Sequence, residues 1–220
     1  MALDAPVKET IQIDAENESI SFQEFLRRYE GQHAEWMMGK VEVQVTNNTA
    51  HNMILLFLST LLNIFLEFKP VGKLLLAGVS MYLGDDKPGR EPDLMIVLNE
   101  SAAKIQPTYL EGAADIVVEI VSPESVERDY GKKFIEYEEA SVREYWRIDP
   151  LRKQFDIYML TRIADDENRY QRAELDAQGR LISTLLPGFA LDPQILWQDE
   201  LPGGKTIFAM VQDMLGEKQG

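Results

Sequence analysis

One carboxylate stands inside the most apolar strand that the sequence predicts. In the segment 115–121, Glu119 shares a face of the strand with Val117 and Val121, and its neighbours Val118 and Ile120 face the other way. An ionised carboxylate without a partner in such a strand is strongly unfavourable, because burial removes its hydration. Glu119 is therefore expected to be neutral, to meet a cation or to bind a metal ion.

A second carboxylate, Asp93, stands at the start of a short apolar strand predicted over Asp93–Val97. If the two strands are neighbours in one sheet, Asp93 and Glu119 converge. Two carboxylates this close repel each other unless they share a proton or a cation, and a hard divalent ion on oxygen ligands is a common solution. The pair favours Mg²⁺ or Mn²⁺. The alternative is two structural roles, with Asp93 as a turn residue after Pro92 and Glu119 as half of a buried salt bridge.

The helix predicted over Arg128–Ala140 supplies a cation. At 100° per residue, Lys133 lies on the face of Tyr137 and points toward the sheet, whereas Lys132 joins Glu136 on a solvated face. In a structural interpretation, Lys133 neutralises the buried carboxylate. In a catalytic one, it orients or deprotonates a water molecule, or stabilises negative charge that develops on a phosphate.

Four ordered blocks of the sequence contain these residues. They are Pro92-Asp93, Asp115–Pro123, Asp129–Lys133 with Tyr137, and Glu144–Pro150. Together they resemble the Uma-type family of bacterial proteins, which belongs to the PD-(D/E)XK, restriction-endonuclease-like superfamily. The resemblance runs from about Phe22 to Phe189. It implies an α/β (α+β) fold with a mixed central β-sheet flanked by helices and a carboxy-terminal β-hairpin region.

The resemblance also implies roles for the site residues. Asp93 matches the acid of the Pro-Asp element and Glu119 the acid of the (D/E)XK element, so that both would bind Mg²⁺ or Mn²⁺. The backbone carbonyl of Ile120 is a further candidate metal ligand. Val121 occupies the position of the usual lysine of the superfamily, and the family supplies that lysine from the next helix, at the position of Lys133.

Two auxiliary positions match the family as well. Glu35 matches a glutamate that would assist the metal through water, and the alternative is a structural ion pair. His51 matches a position near the start of the long helix, where it either touches the substrate or caps the helix. The arginine-rich stretch of the family is interrupted here by a glutamate, in Val126-Glu127-Arg128, which should weaken contacts with DNA phosphates.

The composition narrows the chemistry. The 220 residues contain no cysteine and two histidines, which excludes thiolate nucleophiles, metal sites built on sulfur and multi-histidine metal sites. The net charge of −15 opposes a broad attraction to nucleic acid or to anionic membranes. The segment 122–153 is almost balanced in charge, so an anionic substrate is expected to bind there.

The chain is predicted to contain a flexible amino-terminal segment (1–18), one restriction-endonuclease-like domain (19–200) and a carboxy-terminal tail with a short helix (201–220). The apolar run Met53–Phe68 is 16 residues long and interrupted by polar residues. Because a membrane span needs about 20 apolar residues, this run is predicted to be a core helix and no membrane association is expected. The amino terminus has no secretory leader pattern, so a cytoplasmic protein is expected.

Two functions of different classes follow from the sequence. The first is a metal-dependent endonuclease that hydrolyses DNA phosphodiester bonds with one or two Mg²⁺ ions, for which a homodimer would be sensible because two strands must be cut. The alternative is a nuclease-fold protein with weak or no catalysis that acts as a binding or assembly module, which the acidic charge favours. A weaker third interpretation is metal-dependent hydrolysis of another phosphate ester.

Overall fold

The computed structural model describes residues 19–43, 48–123, 125–126, 128–164 and 167–216. The predicted flexible segment 1–18 lies outside these residues. The boundaries predicted at residues 200 and 201 stay predictions.

Four α-helices and three other helical turns form within the described ranges. The α-helices are α1 (Phe22–Arg28), α2 (Thr49–Phe68), α3 (Lys133–Glu139) and α4 (Gly204–Leu215). The other turns are a π-helical turn (Arg128–Lys132) and two 3-10 helices (Asn99–Lys104 and Pro193–Trp197). The strands are β1 (Ala34–Met37), β2 (Lys40–Val43), β3 (Gly72–Leu76), β4 (Ser80–Tyr82), β5 (Leu94–Leu98), β6 (Tyr109–Glu111), β7 (Ile116–Ile120), β8 (Glu144–Asp149), β9 (Gln154–Ala164), β10 (Glu167–Arg172), β11 (Leu181–Ile182) and β12 (Ala190–Leu191).

Six strands form one mixed sheet in the order β10-β9-β8-β7-β5-β3. Strands β7 and β8 are parallel, and every other neighbouring pair in this sheet is antiparallel. The short pairs β1-β2, β4-β6 and β11-β12 lie outside it. The predicted mixed sheet with flanking helices is therefore confirmed.

The centre of the sheet is buried on both faces. Every residue of β5, β7 and β8 is buried, as the nearly continuous apolar run in β7 indicates. One face packs against α2 and α4, and the other packs against α3 through Tyr137 and Tyr145. Because side chains alternate along a strand, Glu119 shares the α3 face with Val117. The fold thus brings α3 and the acidic residue of β7 together.

The long helix α2 is a core helix, as predicted, but it is longer than the predicted run. It begins after Asn48, whose side chain accepts a hydrogen bond from the backbone N–H of His51 at 2.9 Å. With 20 residues, α2 is long and apolar enough to cross a membrane by length and composition. The expectation that this run is too short for a membrane span was therefore wrong. The evidence for a core helix is the burial of one of its faces. Phe57, Leu58 and Phe65 are at most 2% exposed and pack against the sheet.

The helix predicted over Arg128–Ala140 is an α-helix only in its second half. Its first turn, Arg128–Lys132, is π-helical and widens the backbone before α3 begins at Lys133. The wheel at 100° per residue is therefore wrong for that turn. In α3 the wheel is right for Lys133 and Tyr137, which are buried one turn apart, and Lys132 is exposed as predicted.

Candidate active site

Asp93 and Glu119 meet across two neighbouring strands. In the antiparallel pair β5-β7, Leu94 stands opposite Val118, so the residue before Leu94 stands opposite Glu119 when the register continues. The carboxylate of Asp93 accepts a hydrogen bond from the backbone N–H of Ile120 at 2.7 Å. The structure therefore places Asp93 beside the peptide that follows Glu119. The predicted ligand role of the Ile120 carbonyl stays a prediction.

The carboxylate of Glu119 is held by two donors from α3. Lys133 Nζ donates to Glu119 Oε1 at 2.8 Å, and the hydroxyl of Tyr137 donates to the same oxygen at 2.6 Å. Burial, together with the charges of Asp129 and Asp93, raises the pKa of Glu119 to about 8 despite the opposing charge of Lys133. Glu119 is thus mostly protonated at neutral pH, and a cation bound to its carboxylate would favour the ionised form.

Three carboxylates surround the ammonium group of Lys133. Besides the 2.8 Å contact with Glu119, Lys133 Nζ lies 3.5 Å from Glu35 Oε1 and 3.6 Å from Asp129 Oδ1. Burial alone would lower the pKa of Lys133, but Glu119, Glu35 and Asp129 outweigh it and raise the pKa above its ordinary value of 10.5. Lys133 therefore keeps its proton at neutral pH. Of the three catalytic roles that the sequence left open, a protonated Lys133 fits orientation of a water molecule and stabilisation of negative charge, and does not fit deprotonation of water.

Glu35 forms the structural ion pair that was its alternative role. Arg90, which is fully buried, donates to Glu35 Oε2 at 2.6 Å and also binds both carboxylate oxygens of Glu136, at 2.8 and 3.0 Å. Burial opposes ionisation of Glu35, but the charges of Lys133 and Arg90 lower its pKa to about 2. The predicted solvated role of Glu136 is wrong, because the guanidinium of Arg90 draws this carboxylate toward the interior.

His51 orients Asp93 rather than capping α2. The imidazole is 1% exposed, and its Nε2 atom lies 3.1 Å from both carboxylate oxygens of Asp93. Asn48 provides the cap, and the backbone of His51 is the group that is capped. Of the two roles predicted for His51, the capping role of the side chain is therefore wrong.

Asp129 is a site residue to which the sequence pattern alone assigned no role. It lies on the π-helical turn, is 1% exposed, and accepts a hydrogen bond from the hydroxyl of Ser125 through Oδ2. Burial is the main cause that raises its pKa. Its spacing of four residues from Lys133 was the available signal, but a wheel drawn for a regular α-helix does not represent the widened turn.

A divalent cation suits part of this donor set. Mg²⁺ commonly binds one or two carboxylates and completes its shell with water and substrate phosphate oxygens. Asp93 and Glu119 supply two such carboxylates. Burial, and after it the charges of Asp129 and Asp93, raises the pKa of Glu119, and a bound cation would offset both effects. No group of three His, Asp or Glu side chains in the described ranges is arranged to hold a metal ion. A metal ion would thus depend on Asp93 and Glu119, together with oxygen atoms from water and substrate.

Comparisons with known proteins identify the family and the fold of the chain. A family model described as "Uma2: Putative restriction endonuclease" matches residues 22–194. The chain belongs to the Uma2 family. This membership confirms the resemblance in the sequence, and all the residues of the candidate site in this Uma2 protein lie within the matched range. No curated protein matches the chain.

A solved structure shares the fold of this Uma2 protein. It is described as "a putative nuclease belonging to DUF820" from Anabaena variabilis ATCC 29413. The two chains are 18% identical and superpose with a TM-score of 0.64, over 81% of this chain and 97% of the other. At this identity, the likeness shows the fold.

Proposed function

We propose that this Uma2 protein is a divalent-metal-dependent endonuclease that hydrolyses phosphodiester bonds in DNA. The observation that carries the proposal is the meeting of an acid pair with a protonated lysine. Asp93 binds the peptide next to Glu119 at 2.7 Å, and Lys133 lies 2.8 Å from Glu119. Two carboxylates and a buried cation in one place are the groups that phosphodiester hydrolysis uses.

Each side chain has a distinct role in this proposal. Asp93 and Glu119 would hold Mg²⁺ or Mn²⁺, which supplies a bound water of lowered pKa and polarises the phosphate. Lys133 stabilises negative charge on the phosphate as the bond to the leaving oxygen breaks. Because its pKa is raised, Lys133 does not accept the proton of the attacking water. Another oxygen base, such as the substrate phosphate or bulk water, must take that proton.

The remaining residues keep the acids in position. His51 and the Ile120 N–H fix the carboxylate of Asp93, and Tyr137 fixes that of Glu119. Glu35, already paired with Arg90 at 2.6 Å, acts on the site through its charge on Lys133 rather than as a metal ligand.

The acidic surface affects how DNA binds. With a net charge of −15, long-range attraction to phosphates is unfavourable, so contacts must be local and easily screened by salt. Because low salt strengthens the long-range repulsion and high salt weakens the phosphate contacts, cleavage should be measured over a range of ionic strengths. A homodimer would allow both strands of a duplex to be cut, and light scattering of the purified chain tests that part of the proposal.

A nuclease-fold binding module is the second candidate function. It is favoured by the donors already on Glu119, since Lys133 and Tyr137 both use its Oε1 atom. In this case the ion pair is structural and no metal ion displaces it. The protein would then leave DNA intact whatever metal ion is added.

Cleavage assays separate the two candidates. Supercoiled plasmid and a single-stranded oligonucleotide are incubated over a range of salt concentrations with Mn²⁺, Mg²⁺ or EDTA. The endonuclease proposal predicts metal-dependent cleavage by the wild type and its loss in Lys133→Met and Glu119→Gln. Lys132→Met is the matched control, because Lys132 is the exposed neighbour on the same segment, and it should cleave like the wild type. Cleavage that survives in Glu119→Gln would contradict the proposal, and no cleavage by the wild type would favour the binding module.

A further inference from the structure

One buried oxygen next to the candidate lysine has no hydrogen bond. The Oδ1 atom of Asp129 has no hydrogen-bond partner, although its other oxygen accepts a hydrogen bond from Ser125. Buried carboxylate oxygens normally have a partner, so this atom requires an explanation. The Nζ atom of Lys133 lies 3.6 Å from it, just beyond hydrogen-bond distance.

Asp129 is the better placed of the two carboxylates that could receive Lys133 if it left Glu119. Glu35 is at a similar distance of 3.5 Å, but its two oxygens already accept hydrogen bonds from Arg90 and from the backbone N–H of Glu91. The Oδ1 atom of Asp129 has no such competitor. A shift of the ammonium by less than about 1 Å would bring it within hydrogen-bond distance of that atom.

A cation on Glu119 would create the need for such a shift. The Oε1 atom of Glu119 accepts hydrogen bonds from both Lys133 and Tyr137. A divalent ion on this carboxylate would repel the ammonium group and weaken the oxygen as an acceptor. Lys133 must then find another acceptor close by or lose its hydrogen bond in a buried place, which is costly.

We propose that Asp129 is a positioning residue that receives the ammonium group of Lys133 when Glu119 binds a divalent cation. The inference rests on the proposed function and adds a second position for Lys133. Ser125 fixes the carboxylate, and the Tyr145 hydroxyl donates to the backbone carbonyl of Asp129 at 3.0 Å. The π-helical turn holds Asp129 and Lys133 on the same side of the segment. Asp129 therefore acts through Lys133 and does not touch the cation.

A double-mutant cycle on Mn²⁺ affinity tests this inference without reference to cleavage. Calorimetric titrations compare the wild type, Asp129→Asn, Lys133→Met and the double variant. Asp129→Asn should weaken Mn²⁺ binding about tenfold. Loss of a residue that supports the metal ligands without binding the metal typically lowers metal affinity about 10- to 100-fold, and we expect the lower end. In the Lys133→Met background the same change should alter the Kd for Mn²⁺ less than about twofold, because Asp129 then has no lysine through which to act. Glu139→Gln, an exposed acid on α3, is the control and should leave the Kd unchanged.

The outcomes distinguish this inference from the proposed function. An equal loss of affinity in both backgrounds would mean that Asp129 acts on the ion directly, and an unchanged Kd in Asp129→Asn would mean that it does not act at all. Either result overturns the inference and leaves the endonuclease proposal intact. A wild type that binds no Mn²⁺ overturns both. If Asp129→Asn does not fold, Ser125→Ala replaces it in the cycle and should give a smaller loss of affinity that also depends on Lys133.

Discussion

Replacing Lys133 by methionine removes the cation on which the candidate site depends and keeps an unbranched side chain of similar length. The Lys133 side chain is 6% exposed, and its ammonium lies 2.8 Å from Glu119, 3.5 Å from Glu35 and 3.6 Å from Asp129. Removing one partner of a buried ion pair costs about 3 to 5 kcal/mol, because the other charge stays buried without compensation. Arg90 still pairs with Glu35. Glu119, whose pKa is already raised, can take up a proton. We therefore expect the lower end of that range, about 3 kcal/mol.

The assay is urea denaturation at pH 7, followed by circular dichroism, for the wild type, Lys133→Met and the control Lys132→Met. Because the pKa of Lys133 is raised in the fold, its contribution to stability is complete below the ordinary value of 10.5 and is lost only as the pH rises through the raised value. The full effect should therefore be present at pH 7. The exposed control should change the free energy of unfolding by no more than about 0.5 kcal/mol. Equal small losses in the two variants would refute the reasoning, because they would show that the carboxylates do not depend on this ammonium.

Three further predictions concern the same pocket and are checked by chemical denaturation. Folding raises the pKa of Glu119 from 4.5 to about 8, so its contribution to stability is complete below pH 4.5 and declines as the pH rises to 8. Glu119→Gln should remove that decline. A pH profile of stability that is the same in the variant and the wild type would contradict this prediction. Arg90→Lys should destabilise the fold by about 2 to 4 kcal/mol, since one ammonium cannot bind both Glu35 and the two oxygens of Glu136 as the guanidinium does. A loss below about 0.5 kcal/mol, which is typical of a surface substitution, would contradict this prediction. Because its raised pKa keeps Glu119 mostly protonated at pH 7, Tyr137→Phe should cost about 0.5 to 1.5 kcal/mol, the net value of a hydrogen bond between neutral groups. A neutral result would mean that Glu119 does not use the hydroxyl.

The surroundings of Glu119 and Lys133 in the candidate site could be predicted from the sequence, because both residues lie in segments with a strong strand or helix periodicity. Alternation in β7 placed Glu119 in an apolar environment, which indicated that it needs a partner. Helical spacing selected Lys133 over Lys132, because α3 is regular from Lys133 onward. The mixed sheet with flanking helices followed from the order of the predicted elements and from the resemblance to the family. The placement of Glu119 and of Lys133 depends on a local repeat, which a single sequence shows directly.

The rest of the site depends on contacts between distant segments, which no local pattern contains. Arg90 binds Glu136 across 46 residues, so a helix wheel placed that glutamate in solvent. His51 reaches Asp93 across 42 residues, and nothing near His51 in the sequence points to this contact. The π-helical turn that holds Asp129 accepts a hydrogen bond from the hydroxyl of Tyr145, 16 residues further along the chain. These features required the three-dimensional structure.

The central claim is that Asp93 and Glu119 bind one divalent ion next to Lys133. The most direct measurement is a crystal structure of the protein soaked with Mn²⁺, with anomalous diffraction data collected at the manganese absorption edge. An ion bound by this pair should give an anomalous peak about 2.0 to 2.3 Å from a carboxylate oxygen of Asp93 and of Glu119. A peak elsewhere in the molecule, or none at a Mn²⁺ concentration that supports cleavage, would contradict it.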